Sequence, residues 1–597
     1  MNLKARIRKD VEEKVSRMVG TWDGGVDVTR TSDSKFGDYS TNIALKIWKR
    51  GTRDTGQVYQ SPMEFANNLA DRLKSQPYVE KLEVKEPGFL NIFIKGGFLV
   101  KEVEDVLKAD KFESKFSSQK VIIEFTDPNP FKEFHVGHLY SNSVGESISR
   151  LFETVGANVC RANYQGDVGL HVAKCIWGIR KKVKSIADLE SSSLKEKIEF
   201  LGLAYAEGAS VYETDEKVKE EITALNKEIY EKLDQIEEYK LGKKWSLENF
   251  EVIYKRLGTK FDLNYFESKV GKQGVEIVRN NTGKVFIESQ GAVIFPGEKI
   301  GLHNRVFITS QGLPTYEAKE LGLAFRKQED FAFDVSIIVT GNEIVDYFRV
   351  LVAAIGQIDK KLASKIRHIA HGMVRMPGGK ISSRLGNVIS AVELLDEAKK
   401  RAIALAEQSL EKGQALASGP ARQRSGLNVE QVAEQVAVGA VKYALLKGNP
   451  AQDIKFSFEE ALALEGNSGP YLQYTYARAK SVIEKSQKLK ARLASRAKRV
   501  KSQKFIDNQF EDEEKELFLV LVHFEEAVVS AAEEFSPNYL ANFLFEVAQK
   551  YNTMYNNLRI IDAEPAERAR RLFLTDAVAQ VLQKGLGLLG MSAPEKM

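Results

Sequence analysis

The sequence predicts a multidomain α/β protein: a parallel-sheet core, a small α/β domain before it, and an all-α bundle after it. Length is the first indication, since 597 residues at about 150 per domain suggest three or four domains. The second is an apolar run, Val121–Phe125 (VIIEF), followed by a Pro-containing loop, a long helical pattern and another strand-like run. Strand, loop, helix and strand in that order make a βαβ unit and hence a parallel sheet. The third is the segment from about 430 onward, where apolar residues keep a helical period with few glycines inside it.

At the N-terminus, Leu3, Ile7, Val11 and Val15 are spaced for one face of an amphipathic helix. Basic residues precede them but no apolar h-region follows, so this is not read as a signal peptide. Phe89–Ile94 (FLNIFI) reads as a strand, and Lys111–Ser118 is polar and linker-like. These define a first unit, 1–112. In the core, Leu139, Val144, Ile148, Leu151, Phe152 and Val155 recur at spacings near 3.6, and after Gly156 the run ANVCRANY reads as the second strand. A Glu- and Lys-rich helical insertion is expected near 190–258. Strands are expected again near Lys284–Ile287, Val306–Thr309 and Val335–Thr340. The core unit is placed at 113–395. The small, polar, Gly/Pro-punctuated stretch Gly413–Asn428 marks a linker, set at 396–429, and the bundle occupies 430–597. There is no internal repeat.

Composition excludes several classes. No apolar run is long enough to span a bilayer. The only cysteines are Cys160 and Cys175, without a CxxC, which argues for a reducing compartment and against a zinc or other metal site. A cytoplasmic protein with no membrane partner is expected. The net charge of +5 is small for the length, but Lys485–Lys504 holds nine Lys/Arg and no acid. Such a run is either a solvated face or a track for a phosphate backbone.

Two segments carry chemistry. The loop after the first core strand reads TDPNPFKEFHVGHLYSNS, so His135, Gly137 and His138 fall where a parallel strand hands over to a helix. Helix N-termini at that place offer free N–H groups and a positive dipole to phosphate. Two imidazoles can add hydrogen bonds, and Gly137 lets a flat base approach the backbone. An ordinary helix cap with incidental histidines is the competing reading. With only seven histidines in the chain, two within four residues make it weak. Far downstream, Gly378–Val388 (GGKISSRLGNV) combines glycines, Lys380, hydroxyls at Ser382 and Ser383, and Arg384. A loop of this kind can close over a triphosphate and neutralise charge as pyrophosphate departs.

In this order the two segments resemble the HIGH and KMSKS signatures of class I aminoacyl-tRNA synthetases, which have Rossmann-type catalytic cores. HVGH is a close match, whereas KISSR has Ser383 at the position of the usual second lysine. The arginyl-tRNA synthetases often lack that lysine and carry one just before their HIGH element, and here Lys132 stands three residues before His135. EFTDPNPFKEFHVGHL, NYQGDVG (Asn163–Gly169), HGMVRMPGGKISSRLGNV, GPYLQYTYAR (Gly469–Arg478) and FGDYSTNIAL (Phe36–Leu45) are each similar to arginyl-family segments, in the family's order along essentially the whole chain. Departures include Thr126 and Asp127 for two serines and Val168 for a tryptophan.

The resemblance implies ATP-dependent activation of L-arginine, with Mg²⁺ accompanying the ATP, and transfer to the terminal 2′-OH of tRNA(Arg) in translation. It implies His135, His138, Lys132 and Lys380 as catalytic groups, with Gly137, Ser382 and Ser383 also on ATP. The unit 1–112 would meet the tRNA elbow, 113–395 would be catalytic, and 430–597 would bind the anticodon. Guanidinium is planar, always charged and carries five donors, so its pocket needs well-placed carboxylates. The family's Tyr and acid four residues apart correspond to Tyr316 and Glu320, on one helix face, with Glu320 replacing the usual Asp. Asp127, Asn129, His138 and Asn342 match further arginine-binding positions, Asn342 replacing the usual Gln. Glu124 is either a second acid for the guanidinium or an exposed edge charge. Exposed aromatics stack on splayed bases. Tyr471, Tyr474, Tyr555 and the terminal Met597 match the anticodon site, and Phe89 and Asn91 the elbow site. Core tyrosines at helical spacing are the rival reading for each tyrosine. Two other functions are weighed. A small-molecule adenylyltransferase would have no use for the GPYLQYTYAR domain. A non-catalytic paralogue would be expected to have lost His135, His138 or Lys380. Missing zinc ligands exclude a cysteinyl enzyme. A monomer is expected, since the chain carries its own anticodon unit.

Overall fold

A computed structural model describes residues 2–20, 22–31, 34–50, 59–376, 390–411, 429–494 and 510–597. The first unit is α1 (Leu3–Val19), β1 (Thr29–Arg30), β2 (Tyr39–Thr41), α2 (Ile43–Arg50), α3 (Pro62–Leu73), β3 (Val79–Lys85), β4 (Phe89–Ile94) and α4 (Gly96–Lys108). Its strands form an antiparallel sheet in the order β1-β2-β4-β3. The expected apolar stripe of α1 is buried at Leu3, Ile7, Val11 and Val15.

The core follows as β5 (Lys120–Glu124), α5 (Val136–Thr154), β6 (Asn158–Gln165) and α6 (Leu170–Lys182). An insertion of three helices comes next, α7 (Leu194–Thr214), α8 (Glu216–Lys232) and α9 (Glu237–Leu257). The chain then re-enters the sheet through β7 (Leu263–Phe266) and α10 (Glu267–Asn280). A three-stranded antiparallel sheet is built from β8 (Ile287–Ser289), β9 (Ala292–Phe295) and β10 (Arg305–Ile308). After α11 (Tyr316–Phe331) come β11 (Val335–Gly341), α12 (Val345–Ile358), α13 (Lys360–Lys365), β12 (Ile366–His371) and the short β13 (Val374–Arg375).

Strands β12-β11-β5-β6-β7 form one sheet with every pairing parallel. From β5 the chain moves outward to β6 and β7, then returns to the other side of β5 for β11 and β12. The direction therefore reverses between β5 and β11. The crevice at the carboxyl ends of those two strands is where such sheets bind ligands. Two of the three later strands expected from sequence, near 284–287 and 306–309, lie in the antiparallel sheet and not in this one. The first begins at Ile287 because Asn281 accepts backbone bonds from Lys284, Val285 and Phe286, which fold that stretch into a turn.

The remainder is α14 (Ala391–Glu411), α15 (Val429–Leu446), β14 (Ile454–Lys455), α16 (Phe458–Ala461), α17 (Gly469–Ala494), α18 (Asp512–Leu521), α19 (Phe524–Glu533), α20 (Asn538–Asn557) and α21 (Pro565–Leu588). The expected linker begins too early: residues 396–411 are helical, because Leu394, Leu395, Ala398 and Ala402 make a buried stripe on α14. Gly413–Asn428 lies outside the described residues. Strand β14 pairs parallel with β13, joining residues 454–455 to the core end of the chain. Among the described residues no helix is long and apolar enough to cross a membrane.

Helix α5 lies unusually close to the sheet. A Cβ at Gly145 would stand 2.2 Å from Cγ of Phe125. Ser141 Oγ donates to Val339 O on β11 (2.8 Å) and accepts from Thr126 N (2.9 Å) after β5. Gly145→Ala is expected to lower the thermal midpoint. Overpacking costs about 1–3 kcal/mol, against about 1 kcal/mol of helix propensity that alanine regains. A thermal melt of the full chain tests this, and an unchanged or raised midpoint would show that Phe125 gives way.

Candidate active site

Leaving β5, the chain makes a loop with three non-glycine residues in the left-handed region: Thr126 (φ 80°), Asp127 (φ 47°) and Phe131 (φ 67°). Such conformations cost about 1–3 kcal/mol each and persist where surrounding contacts fix them. Here the contacts are visible. Thr126 N is held by Ser141 and its Oγ1 by Asn142, Asp127 Oδ1 accepts from Tyr164 N (2.8 Å), and Phe131 N donates to Ser246 on α9 (3.0 Å).

The loop delivers His135 to the N-cap of α5. Gly137 N donates to His135 Nδ1 (3.1 Å) and His135 N donates to His138 Nδ1 (3.2 Å), a reciprocal capping box. Both Nδ1 atoms are thus acceptors, so each neutral ring carries its proton on Nε2 and keeps that donor for something else. The rings stack with centroids 3.6 Å apart. Burial, then the charge of Lys132, depresses the pKa of His135 to about 4; burial, then His135, depresses that of His138 well below its ordinary value. These are hydrogen-bond donors at neutral pH, not cations. Positive charge comes from Lys132, whose ammonium lies 5.5 Å from the Tyr205 ring centre and whose own pKa is lowered by burial and Lys174. Ser390 pairs with His135 as an isolated antiparallel bridge, and Ala391 N donates to Phe134 O (3.0 Å). The chain following the KISSR segment is therefore stitched to the histidine loop. Lys380, Ser382 and Ser383 themselves lie outside the described residues.

The other end of the crevice is acidic. Glu124 is not an edge charge: it is buried and paired with buried Lys327 on α11 (2.6 Å). Glu320 lies one helical turn beyond Tyr316, partly buried, whereas Tyr316 is 62% exposed at the helix start. Among the described residues neither Glu320 nor Asp127 has a cation within 4 Å. Burial, then the charge of Glu124, raises the pKa of both well above the carboxylate range. Asn129 Oδ1 abuts Gly166, where a Cβ would stand 2.2 Å away. Asn342 sits just past the end of β11 with its side chain exposed.

The aromatic candidates of the bundle come together. Arg478 lies over both Tyr474 (4.8 Å) and Tyr555 (4.9 Å), and donates to Asn552 Oδ1 (2.6 Å). Asn552 in turn donates to the hydroxyl Oη of Tyr471 (2.9 Å), whose ring packs on Phe545. Tyr471 is thus braced from below, while Tyr555 is 37% exposed. The terminal tail returns to α17, where Gln473 donates to Ser592 O and Lys480 pairs with Glu595, which brings the end at Met597 to that helix. In the first unit Phe89 is 38% exposed. Asn91, expected beside it as an RNA contact, is instead buried with Oδ1 accepting from Ser40 (2.8 Å), because β4 is an inner strand between β2 and β3.

Comparison with known proteins fits this layout. The family model for the catalytic domain of class I (R) tRNA synthetases matches residues 102–458. The arginyl-tRNA synthetase N-terminal domain matches 4–94 and the DALR anticodon-binding domain 472–597. The chain belongs to the arginyl-tRNA synthetases. A Fusobacterium nucleatum arginine–tRNA ligase is 30% identical over 96% of this chain and 95% of its own, and one from Thermococcus sibiricus 31% identical over 100% and 99%. The solved Thermus thermophilus arginyl-tRNA synthetase superposes with a TM-score of 0.77 at 25% identity, covering both chains completely. This synthetase is an arginine–tRNA ligase, joining L-arginine to tRNA(Arg) at the expense of ATP.

Several residues around the synthetase crevice escape sequence reasoning. Asp167 is buried and accepts from Tyr239 (2.7 Å), Lys243 (2.7 Å) and both N and Oγ of Ser268, fastening α9 and α10 to the end of β6. His171 is buried on Gly166 O (2.8 Å), and His371 closes β12 beside Tyr140. The GDVG motif was the available signal for Asp167; nothing in the sequence singles out His171 or His371.

A histidine held neutral by burial resists protons that the unfolded chain accepts, so its contribution to stability is lost as pH falls below about 6.5. With His135 at about 4 in the folded state, its share between pH 6.5 and 5 is about 1 kcal/mol per pH unit. His135→Asn keeps a good N-cap and should flatten the acid dependence of the melting midpoint by that amount. Parallel curves for the two proteins would mean that His135 is protonated in the fold.

Proposed function

We propose that ATP and arginine lie across the switch-point crevice, triphosphate toward His135, His138 and Lys132, and guanidinium toward Glu320. One observation carries this reading: two imidazoles with Nδ1 engaged in the cap keep their Nε2–H donors at a helix N-terminus, and two carboxylates without a cation among the described residues stand at the other end. The first is a site for an anion, the second for a cation. Gly137 leaves room for adenine, and Lys380, Ser382 and Ser383 complete the phosphate contacts from the second signature. Asp127, Asn129, His138, Tyr316 and Asn342 are assigned to arginine. Glu124, already paired with Lys327, is assigned to holding the field of the pocket. Mg²⁺ is proposed to travel with ATP on phosphate oxygens and water, since imidazoles and a lysine are not ligands for a hard cation.

In the first step the arginine carboxylate oxygen bonds to the α-phosphorus as the bond to the bridging oxygen breaks, and pyrophosphate leaves with the electron pair. Donors already aimed at the phosphates stabilise the charge that builds there without reorganising. In the second, the terminal 2′-OH of the tRNA attacks the arginyl carbonyl, its proton is lost and AMP departs. Tyr471, Tyr474, Tyr555 and Met597 are proposed for the anticodon, and Phe89 for the elbow. The functional units are proposed as 1–112, 113–395 and 430–597, in a monomeric cytoplasmic enzyme.

Glu320→Gln keeps the shape and removes the charge. It should cost about 2–4 kcal/mol in kcat/KM for arginine while leaving the KM for ATP nearly unchanged. Equal damage to both substrates in pyrophosphate exchange would remove Glu320 from the specificity site. Lys132→Met should lower kcat about 10²–10³-fold with a modest change in arginine KM, the pattern of a contact made in the transition state. Turnover near wild type would leave the two histidines and Lys380 to carry the step.

A further inference from the structure

The two steps of the reaction make no use of FGDYS (Phe36–Ser40), one of the stretches similar to arginyl-family sequence. Its middle side chains reach out of their own unit. Asp38, 2% exposed, accepts from Ile94 N (2.6 Å) within the first unit and from Lys515 Nζ (3.1 Å) on α18 of the bundle. Tyr39 is fully buried on β2, and its hydroxyl lies 3.1 Å from Nε2 of His523, the residue before α19. His523 Nδ1 is 3.0 Å from Glu526, whose carboxylate only accepts. That nitrogen therefore donates, and Nε2 of the neutral ring receives the Tyr39 proton. Along the same seam Glu526 also holds Lys4 of α1 (2.5 Å), and Arg30 of β1 pairs with Glu546 of α20 (2.8 Å).

Directional bonds with buried ends specify one orientation of the two units, which apolar contact alone does not. The elements on either side of the seam lead to the aromatic candidates for RNA. β2 pairs with β4 at Tyr39↔Ile92 and Thr41↔Leu90, and exposed Phe89 is the next residue along β4. On the other side, α20 takes Arg30 at Glu546 and carries Tyr555, beside Tyr474 of α17 across Arg478. A strand pair, the seam and a helix thus fix how far Phe89 stands from those tyrosines. When one ligand is held at two places, the second contact forms at an effective concentration set by the stiffness of the link between them.

We propose that Asp38 and Tyr39, acting through Lys515 and His523, are positioning residues for tRNA. They lock the first unit onto the bundle at the spacing that lets one tRNA reach Phe89 and the tyrosines of α17 and α20 together. They touch no substrate themselves. This rests on the assignment of Phe89 and those tyrosines to tRNA.

The test is steady-state aminoacylation by the full chain, with kcat and the KM for tRNA read separately. The variants are Tyr39→Phe, Lys515→Met, Lys515→Arg, Phe89→Ala and Phe89→Ala with Lys515→Met, each with a melting midpoint and calorimetric titrations of ATP and of arginine. Tyr39→Phe removes one oxygen and Lys515→Met one charge, and both leave the bond from Ile94 N to Asp38 that the first unit needs for itself. Each should raise the KM for tRNA about fivefold or more, with kcat within about twofold of wild type and ATP and arginine affinities unaltered. Lys515→Arg should recover most of the loss. In the Phe89→Ala background Lys515→Met should add little, because the contact it positions is gone. A raised KM in Phe89→Ala, with both seam variants at the wild-type value, would overturn the proposal and keep Phe89 on the tRNA. A wild-type KM in Phe89→Ala would remove Phe89 from the tRNA and the proposal with it. Losses that simply add in the double variant, or a lowered midpoint or kcat at unchanged KM, would make the seam a structural contact only and overturn the proposal.

Discussion

The close docking of α5 on β5 and β11 is the constraint from which the crevice follows. A glycine at 145 lets the helix settle onto Phe125, and Ser141 joins the exit of β5 to β11 with one hydroxyl. The loop from Glu124 to His135 carries left-handed backbone at Thr126, Asp127 and Phe131, and it brings His135 to the helix cap. The placement of the two histidines proposed to hold the phosphates is therefore tied to packing well below them.

The same helix is gripped at its other end. Buried Glu146 holds Arg150 (2.7 Å) and Arg161 (3.2 Å), and Arg161 also takes Glu153. Arg150 then donates to Gly258 O, just past α9, and to Gly587 O on α21 (2.7 Å each). Lys442 of α15 repeats the pattern, donating to Leu257 O (2.6 Å) and Gly590 O (3.0 Å). Cations on the free carbonyls of helix C-termini satisfy backbone groups that the helices leave unpaired. In this way the ends of the insertion and of the bundle are both fastened to the helix whose N-terminus carries the signature histidines.

Periodicity made much of this legible in the sequence. The stripe of α1, the β5–α5–β6 unit and the helical bundle are long amphipathic or apolar segments whose burial follows from spacing alone. β7 and β12 escaped notice because LNYF and IRHIAH are short and mixed, and become strands by pairing on the edges of a sheet already formed. The linker boundary was misplaced because an alanine-rich stripe on α14 gives a weaker apolar signal than leucine or valine would. Motif positions marked the site residues, but their surroundings stayed hidden. Sequence cannot show that Lys327 neutralises Glu124 or that Ser40 engages Asn91, because each pairing joins distant parts of the chain.

Electrostatics ties the two ends of the crevice to one design. At the proposed phosphate end the imidazoles are held neutral, so that a polyphosphate bound there would meet donors already oriented, with Lys132 supplying the charge. Had the rings been cationic and exposed, water would have screened them and their Nδ1 atoms could not cap the helix. At the acid end the reverse holds. Carboxylates crowded together without enough cations are poorly solvated, which is why Asp127 and Glu320 hold protons more tightly than free carboxyls do. A guanidinium keeps its charge at any working pH. Under the proposed assignment its arrival would therefore favour the ionised form of Asp127 and Glu320, relieving by charge the burial that raises these carboxyls, which a neutral analogue could not do.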